Sequence, residues 1–470
     1  MKSIFLSLLM LASLHSPAQN KTKSKTIKKA ENNLSYWVTD PQKNILFEKR
    51  TIETDYSSKG SQTININSDS TFQTIDGFGY TLSGGSSQHL SAMQPKKRKA
   101  LLKEIFDTKD GIGVSYLRIS IGASDLDENA FSYDDLPKGI SGDFELKYFS
   151  VKNDLKTLIP ILKEILSINP NIQILASPWS APSWMKDNNS TIGGSLKKEC
   201  FQVYAQYFVK YITALKNLGI NINAITIQNE PLNPANNPSM YMTSQQQSDF
   251  VKVALGPTFA KKNIKTKIII YDHNALHPEY PIDILQNSDA AQYIDGSAFH
   301  LYEGEINAVG TVHDRFPNKN LYFTEQWVGA PGNIAEDLIW HTENVIIGSM
   351  RNWCKTALEW NLSSNPSLTP HTPGGCTQCL GAVTIDGNSV TRNSAYYIIA
   401  QASKLVRPGS VRIASNTLPN LPNVAFKRKD GKIVLIVLNK GKNSTRFNIN
   451  LDGKNINSII NPGSVQSILL

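Results

Sequence analysis

The stretch Ala-Ile-Thr-Ile-Gln-Asn-Glu-Pro at residues 224–231 has the pattern that decides the fold: an apolar, β-branched run that ends in polar residues. Such runs are typical of buried parallel strands whose outer face is covered by helices. Similar runs occur at residues 73–79, 116–122, 172–179, 267–274, 296–302, 320–327 and 356–362. Amphipathic helical patterns, for example at residues 154–168, 202–218 and 335–350, alternate with them. Eight alternating units predict an α/β protein with a closed (β/α)8 TIM barrel.

The two ends of the chain have a different, all-β pattern. After residue 405, short strand-like runs are separated by Asp430-Gly431, Lys440-Gly441 and Asp452-Gly453, which are turn dipeptides of the kind found in hairpins. Residues 35–72 are also strand-like and precede the first barrel strand. We therefore predict a catalytic barrel at residues 73–405 and an attached β-sandwich that residues 35–72 and 406–470 build together.

The first residues have the pattern of a secretory signal peptide. Lys2 precedes an apolar run at residues 4–14, and Ser16-Pro17-Ala18 offers small residues for cleavage after Ala18. We expect residues 1–18 to be removed from a secreted or periplasmic protein with no stable membrane insertion; the alternative is an uncleaved anchor. Residues 19–34 are predicted to be a basic, flexible tail, whose five lysines account for most of the net charge of +9. No motif indicates nucleic-acid binding.

The four cysteines and the glycines give no sign of a cofactor. Cys376-Thr-Gln-Cys379 is a lone CxxC, and it lacks both the second pair that zinc needs and the helix that follows a redox motif. We expect a small structural disulfide between Cys376 and Cys379, with free thiols as the alternative. Gly77-Phe-Gly79 lacks the third glycine of a dinucleotide-binding turn. No metal and no organic cofactor is expected.

Two carboxylates stand at the predicted mouth of the barrel, where working residues project from the C-terminal ends of the strands. Glu230 ends strand four and Glu325 ends strand seven. Aromatic residues occupy neighbouring strand ends: Trp179, Trp184, Tyr302, Trp327 and Trp360. Hydrolysis of a glycosidic bond needs two carboxyl groups that flank the anomeric carbon, and aromatic rings pack on sugar faces. The pattern predicts a sugar site; the alternative is that each Glu pairs with an Arg or caps a helix.

Seven motifs, taken in order, resemble glycoside hydrolase family 30, the family of lysosomal glucosylceramidase and of bacterial and fungal β-1,6-glucanases. The motifs are QTIDGFG at 73–79, YLRISIG at 116–122, ASPWSAPSWMK at 176–186, IQNEP at 227–231, FHLY at 299–302, FTEQW at 323–327 and EWNL at 359–362. The resemblance covers roughly residues 70–470. It implies a retaining β-glycosidase whose barrel carries a β-sandwich built from both termini.

The resemblance implies that Glu230 is the general acid/base and Glu325 the nucleophile. Retention requires carboxyl groups about 5–5.5 Å apart. At that distance the charge on Glu325 should raise the pKa of Glu230 and keep it protonated, while Arg118 should keep Glu325 ionised.

The resemblance also implies a set of substrate-binding residues: Arg118, Trp179, Asn229, His300, Tyr302, Trp327 and Trp360. Asn229 is expected to bond the sugar 2-hydroxyl, and Tyr302 to contact the nucleophile. Trp179 and Trp360 are expected to line the glycone pocket. Arg118 and His300 are expected to orient the carboxylates.

One departure from the family pattern bears on the substrate. Glucosylceramidases carry an acidic residue shortly after the first Gly-Phe-Gly, where it binds outer hydroxyls of glucose, but residues 80–85 (YTLSGG) contain no acid. The loop at residues 374–379 is more similar to the microbial branch. We therefore expect a β-1,6-glucan-type substrate and a monomeric enzyme. A glucosylceramidase, a β-xylosidase or a fucosidase is the alternative within the family, and an inactive carbohydrate-binding protein is the alternative outside it.

Overall fold

The structure is a computed structural model that describes Met1 and residues 34–52 and 62–470. Almost all of the predicted signal peptide at 1–18 and basic tail at 19–34 lies outside the described residues. Within the described part of the chain, no helix combines the length and the apolar character needed to cross a membrane.

Eight parallel strands close into a barrel, as the sequence predicts. They are β1 (Gly77–Thr81), β2 (Tyr116–Ser120), β3 (Gln173–Ser177), β4 (Ala224–Thr226), β5 (Lys267–Asn274), β6 (Ile294–His300), β7 (Asn320–Glu325) and β8 (Cys354–Asn361). Each strand pairs with its neighbour in sequence, and β8 closes the ring against β1 through the pair Ala357 and Phe78. Inward-pointing side chains such as Tyr116, Leu175 and Ile269 fill the interior, so the barrel is a packed core with its working end at the mouth.

Helices cover the outside of the barrel. They span Gly84–Ala92, Pro95–Phe106, Leu158–Ile168, Phe201–Asn217, Ser244–Phe250, Gly256–Lys261, Glu279–Gln286, Ser288–Ala291, Asn307–Arg315, Ile334–His341, Ser349–Arg351 and Ser394–Ser403. In Leu158–Ile168, the side chains of Ile161, Leu162 and Ile165 are buried at the spacing of one helical face. The predicted helix at 335–350 is continuous, but its middle, Thr342–Gly348, is π-helical.

Strands from both chain ends form one nine-stranded sheet. They are Leu34–Asp40, Ile45–Ile52, Gln62–Thr74, Val411–Ser415, Asn423–Lys427, Ile433–Leu438, Thr445–Leu451, Lys454–Ile460 and Val465–Leu469. Leu34–Asp40 pairs antiparallel with Val465–Leu469, so the two ends of the chain meet. Ile468 and Phe447 come from distant parts of the sheet but share one hydrophobic cluster, so the sheet folds over into a sandwich.

Two local features of the sandwich bear on the sequence-based predictions. Asp452 and Gly453 both have positive φ, 48° and 88°, which is the type I′ turn that their sequence predicts. The strand Gln62–Thr74 extends past the predicted domain boundary at residue 72, because Thr74 pairs with Val411 of the sandwich. The first barrel strand therefore begins at Gly77 and not at Gln73.

Candidate active site

A cavity of about 720 Å³ opens at the C-terminal ends of the barrel strands. Seven of the predicted site residues line it: Trp179, Asn229, Glu230, Tyr302, Glu325, Trp327 and Trp360. The other two, Arg118 and His300, are completely buried beneath this lining and contact its carboxylates. The structure thus brings all nine predicted residues into one place, although they come from six different barrel strands and the loops that follow them.

Irregular backbone at the strand ends aims the functional side chains. The pairing register shifts at the ends of β5, β7 and β8, and such bulges redirect the side chains beside them. Glu230 has a φ of 47° and Asp272 a φ of 69°, a region that non-glycine residues seldom adopt. The Glu230 N–H donates to the Asp272 carbonyl at 2.9 Å, which holds the two strand ends together. Unusual backbone at these two residues is typical of a functional site.

The carboxylates of Glu230 and Glu325 lie close together across the cavity. One oxygen of each, with a ring nitrogen of His300, forms a group whose members are all within 4.8 Å of one another. Inverting glycosidases separate their carboxyl groups by about 6.5–9.5 Å to admit a water molecule, whereas retaining enzymes hold them about 5–5.5 Å apart. The close approach therefore fits direct attack by one carboxylate on the anomeric carbon.

Glu230, His300 and Glu325 also have the composition of a metal-binding triad. However, both oxygens of Glu325 already accept hydrogen bonds, one from the Arg118 guanidinium and one from the Tyr302 hydroxyl at 2.8 Å. A metal ion bound to Glu325 would lie beside a permanent positive charge. The donor set is better suited to a sugar, whose hydroxyls and leaving oxygen exchange hydrogen bonds with carboxylates.

Arg118 organises the floor of the site. Its guanidinium donates to Glu325, to Asn229 Oδ1 at 2.6 Å and to Asp272 Oδ2 at 2.8 Å. The Trp179 ring lies against it, with the ring centroid 4.8 Å from the guanidinium carbon. A buried charge needs complete pairing of this kind, because removing one partner leaves the other uncompensated. Arg118 therefore fixes the orientation of both Asn229 and Glu325.

Asp272 is a member of the site that the sequence-based prediction missed. It is completely buried, and its Oδ1 accepts from Thr324 Oγ1 at 2.7 Å and pairs with His300 Nε2 at 3.2 Å. Burial alone would raise the pKa of Asp272, but Arg118 and His300 hold it well below its ordinary value. The sequence feature that could have identified Asp272 as a site residue is its position at the polar end of the apolar strand β5.

The charge on His300 governs the protonation of the two carboxyls. Burial would lower the pKa of His300, but its carboxylate neighbours, led by Glu325, raise it to about 9. Burial would raise the pKa of Glu230, yet the hydrogen bond and charge of His300 lower it to about 2. The pKa of Glu325 is raised by burial, although His300 and Arg118 favour its anion. These directions favour a protonated His300 beside a Glu230 anion in the free site, contrary to the expectation of a raised pKa for Glu230.

Aromatic rings form part of the cavity wall. Trp179 and Trp360 are almost fully buried, and their ring centroids are 5.4 Å apart. Trp327 is partly buried and packs against them. Trp184 is not part of this wall: its indole N–H donates to Asp134 Oδ2 at 3.0 Å, outside the cavity.

The loop after β8 completes the cavity. Cys376 and Cys379 are joined by a disulfide, as predicted, and both line the cavity, whereas Cys200 and Cys354 are free and buried. Asn233, which the sequence-based prediction did not include, donates from Nδ2 to Glu230 Oε2 at 2.8 Å. Asn233 lies in the turn after Glu230, where its N–H donates to the Glu230 carbonyl at 2.9 Å. No motif in the sequence marks it.

Two family models match this chain. The model of the glycosyl hydrolase family 30 TIM-barrel domain matches residues 75–406, and the model of the family 30 beta sandwich domain matches residues 409–468. The chain therefore belongs to glycoside hydrolase family 30 and is a glycosidase. The resemblance seen in its seven motifs is confirmed.

Similar proteins include enzymes of two activities. Endo-1,6-beta-D-glucanase neg1 of Aspergillus fumigatus is 35% identical over 360 residues, which is 72% of each chain. Lysosomal acid glucosylceramidase of Mus musculus is 27% identical over 428 residues, 83% of this chain and 80% of that protein. Among solved structures, the endo-beta1,6-glucanase BT3312 has a TM-score of 0.86 and 36% identity, and the match covers 93% of this chain and 99% of that one.

Proposed function

We propose that this protein is a secreted, retaining β-1,6-glucanase in which Glu325 is the nucleophile and Glu230 the general acid/base. The observation that carries the proposal is the approach of the two carboxylates to within 4.8 Å in a cavity walled by tryptophans. Inversion would need a wider gap, and a lone structural glutamate would not face a second one across a sugar-sized opening.

In the first step, an oxygen of Glu325 attacks the anomeric carbon while the bond to the leaving oxygen breaks. Arg118 and Tyr302 hold Glu325 in place through its two oxygens. The leaving oxygen takes a proton from Glu230. We assign the source of that proton to His300, whose Nδ1 lies 3.3 Å from Glu230 Oε1. Transfer from His300 to Glu230 converts an ion pair into a neutral pair, and a bound sugar that excludes water favours this change.

In the second step, water attacks the anomeric carbon of the glycosyl-enzyme and releases Glu325. The ester carries no charge at Glu325, so the carboxylate of Glu230 is free to accept the proton of the attacking water. Asn233 donates to the other oxygen of Glu230 and so directs Oε1 toward the reaction centre. Two displacements at one carbon retain the β configuration.

The β-1,6-linked substrate is supported by similarity and by the residues that follow Gly79. Three relatives named as endo-1,6-beta-D-glucanases are 33–35% identical to this chain, against 27% for the mouse glucosylceramidase. Residues 80–85 contain no acid, and among them Ser83 is buried and its Oγ accepts the Ser86 N–H at 3.1 Å. Ser83 thereby caps the helix Gly84–Ala92 and does not line the cavity.

Export from the cytoplasm is supported by two features. The pattern of residues 1–18 is that of a cleavable signal peptide. The Cys376–Cys379 disulfide belongs to a compartment that permits oxidation. N-terminal sequencing of the exported protein should start at Gln19; an intact Met1 on the exported protein would contradict cleavage.

The substrate is tested with a panel of β-1,6-glucan, glucosylceramide, and aryl β-glucoside, β-xyloside and β-fucoside. We expect gentio-oligosaccharides from β-1,6-glucan, with the new reducing end formed first as the β anomer in proton NMR. Cleavage of the lipid alone would replace the proposed substrate. A product formed first as the α anomer would contradict double displacement.

A further inference from the structure

Two adjoining cavities lie at the N-terminal ends of the barrel strands, opposite the active site. One, of about 710 Å³, lies where the barrel meets the sandwich, and the other, of about 450 Å³, lies beside it. Both are lined by Gln173, Asn221 and Asn223, which stand at or just before the starts of β3 and β4. We call the two cavities together the floor groove. Because the working residues of such a barrel project from the other ends of its strands, the floor groove is separate from the active site.

The charged side chains that line the floor groove are all positive. Arg407 and Lys429 line the first cavity, and Lys216, Lys265 and Lys267 line the second. Of the described residues that line either cavity, none is an Asp or a Glu. The active-site cavity has the opposite character, because its described lining contains four carboxyl groups and no Lys or Arg. A concave surface with charges of one sign concentrates ligands of the opposite sign, so the floor groove is suited to an anion.

Four of the five cations have no carboxylate partner. Lys267 pairs with Asp295 at 3.6 Å, but the other four form no ion pair with any residue that the structure describes. Arg407 is mostly buried, and its Nη1 donates to two backbone carbonyls. Burial, followed by the nearby charge of Arg428, lowers the pKa of Arg407 to about 10, the direction expected for a cation without a compensating carboxylate. An anion that entered the first cavity would compensate this charge.

Side-chain amides accompany the cations. Asn223 helps to hold the wall together, because its Oδ1 accepts the Ile174 N–H at 2.9 Å. In the described ranges of the chain, three other lining residues have side-chain amides that bond no other residue: Asn171, Gln173 and Asn221. A free amide offers both donors and an acceptor, and a sugar hydroxyl also donates and accepts. The floor groove therefore combines groups for anions with groups for hydroxyls.

The chemistry of the lining distinguishes between classes of polymer. Single-stranded nucleic acids bind by stacking their bases on aromatic rings, and among the lining residues that the structure describes there is no Phe, Tyr or Trp. A neutral glucan would leave the four unpaired cations without a partner. A sugar chain that bears anionic groups would use both the cations and the amides.

We propose that the floor groove binds an anionic polysaccharide, a sugar chain that carries carboxylate or phosphate groups, and holds the enzyme on it while the active site faces away. Arg407 and Lys429 receive one anionic group where the barrel meets the sandwich. Lys216 and Lys265 receive another group further along the groove. This inference does not depend on the substrate assigned to the active site.

The test measures binding of the wild-type enzyme to four immobilised polymers by biolayer interferometry. Polygalacturonate carries carboxylates, phosphomannan carries phosphates, pullulan is neutral, and single-stranded DNA represents nucleic acid. We expect the enzyme to bind polygalacturonate or phosphomannan, and the tighter of the two identifies the anionic group. Pullulan should not bind. Because exposed charges are screened by salt, Kd should rise about tenfold when NaCl is raised from about 50 to about 200 mM.

The decisive variant is the triple substitution Lys216→Gln/Lys265→Gln/Lys429→Gln, which removes three exposed cations of the floor groove. Each exposed ion pair contributes modestly, so we expect the three together to raise Kd for the anionic polysaccharide about 10-fold. A thermal melt checks the fold, and Tm should stay close to the wild-type value because all three side chains lie on the surface.

The matched control is Lys96→Gln/Lys97→Gln/Lys99→Gln, which removes the same charge from the exposed start of the helix Pro95–Phe106, outside the floor groove. It should keep the wild-type Kd. Equal losses of affinity in the two variants would show that net charge alone attracts the polymer and would overturn the proposal. Tighter binding of DNA, or no binding of either anionic polysaccharide, would also overturn it. Each of these results leaves the proposed glucanase activity intact.

Discussion

The barrel mouth and the β-sandwich bury their side chains for different purposes. At the mouth, Arg118, Asp272 and His300 are completely buried and ionised, and every one of them contacts another charged group. In the sandwich, the main buried cluster consists of apolar side chains such as the fully buried Leu435 and Phe447, and few charged residues, Asp40 and Arg412 among them, are buried there. A buried pair of charges contributes little more to stability than apolar side chains of the same volume would. The buried charges at the barrel mouth are therefore explained by their role in the reaction and not by a gain in stability. Substitutions in the two regions should therefore separate activity from stability.

The largest effect is expected at the mouth, from Glu325→Gln. Removing the nucleophile while keeping its shape should lower kcat on β-1,6-glucan by about 10⁴-fold or more, with little change in Tm. The measurement is initial-rate kinetics together with a thermal melt. The matched control is Glu359→Gln: Glu359 is equally buried at the end of β8 but bonds His341 at 2.8 Å on the outer side of the barrel. A Glu325→Gln enzyme with near-normal turnover would refute the assignment.

The sandwich should show the opposite behaviour in Leu435→Ala. This side chain is completely buried in the strand Ile433–Leu438, so truncation should lower the free energy of unfolding by about 2–5 kcal/mol. Because the sandwich cluster holds no residue of the cavity, kcat/KM below the melting transition should stay at the wild-type value. Denaturant unfolding followed by circular dichroism measures the first quantity.

The control for Leu435→Ala is Lys432→Ala, an exposed neighbour whose loss should change stability by no more than about 0.5 kcal/mol. A folded Leu435→Ala enzyme that had lost its activity would show that the sandwich takes part in catalysis, and the contrast between the two regions would have to be abandoned.

The extent to which the sequence predicts the structure also differs between the barrel strands and the active site. Buried parallel strands leave continuous apolar runs, so the eight barrel strands were visible, and Glu230 and Glu325 stand out as single acids at the ends of such runs. Asp272 is harder to identify from the sequence, because three consecutive polar residues end β5. The bulge there also breaks the alternation that distinguishes inward-pointing from outward-pointing side chains. The reversed pKa of Glu230 depends on the 3.3 Å approach of His300 from another strand, which no local pattern records.

A smaller effect tests the role of His300 at the mouth. Its raised pKa of about 9 means that the proton shared with Glu230 is lost only well above the ordinary histidine range, so kcat/KM should fall on the alkaline side near pH 9. In His300→Asn the cation that favours the Glu230 anion is gone, and the proton must reside on Glu230 itself. The alkaline limb should then move to lower pH.

The pH profile of kcat/KM, with β-1,6-glucan or an aryl gentiobioside as substrate, measures this shift. His341→Asn is the matched control, because His341 is also buried and also bonds a glutamate but lies outside the cavity. It should leave the alkaline limb in place. An unchanged limb in His300→Asn would show that the proton does not come from His300.

The smallest effect concerns buried carboxyls of the barrel, whose raised pKa values make the stability of the folded protein depend on pH. Burial raises the pKa of Asp154 to about 7, although the Tyr133 hydroxyl bonds it. A carboxyl whose folded pKa is raised binds its proton more tightly in the native state, so stability falls as pH rises from about 4 to 7. Tm should therefore drop between pH 5 and pH 7.5, and Asp154→Asn should reduce that drop by about 1–3 °C. If Tm rose instead over this range, histidines whose pKa is lowered by burial, such as His273 with a pKa of about 4, would dominate the balance, and the barrel's buried acids would not limit its stability.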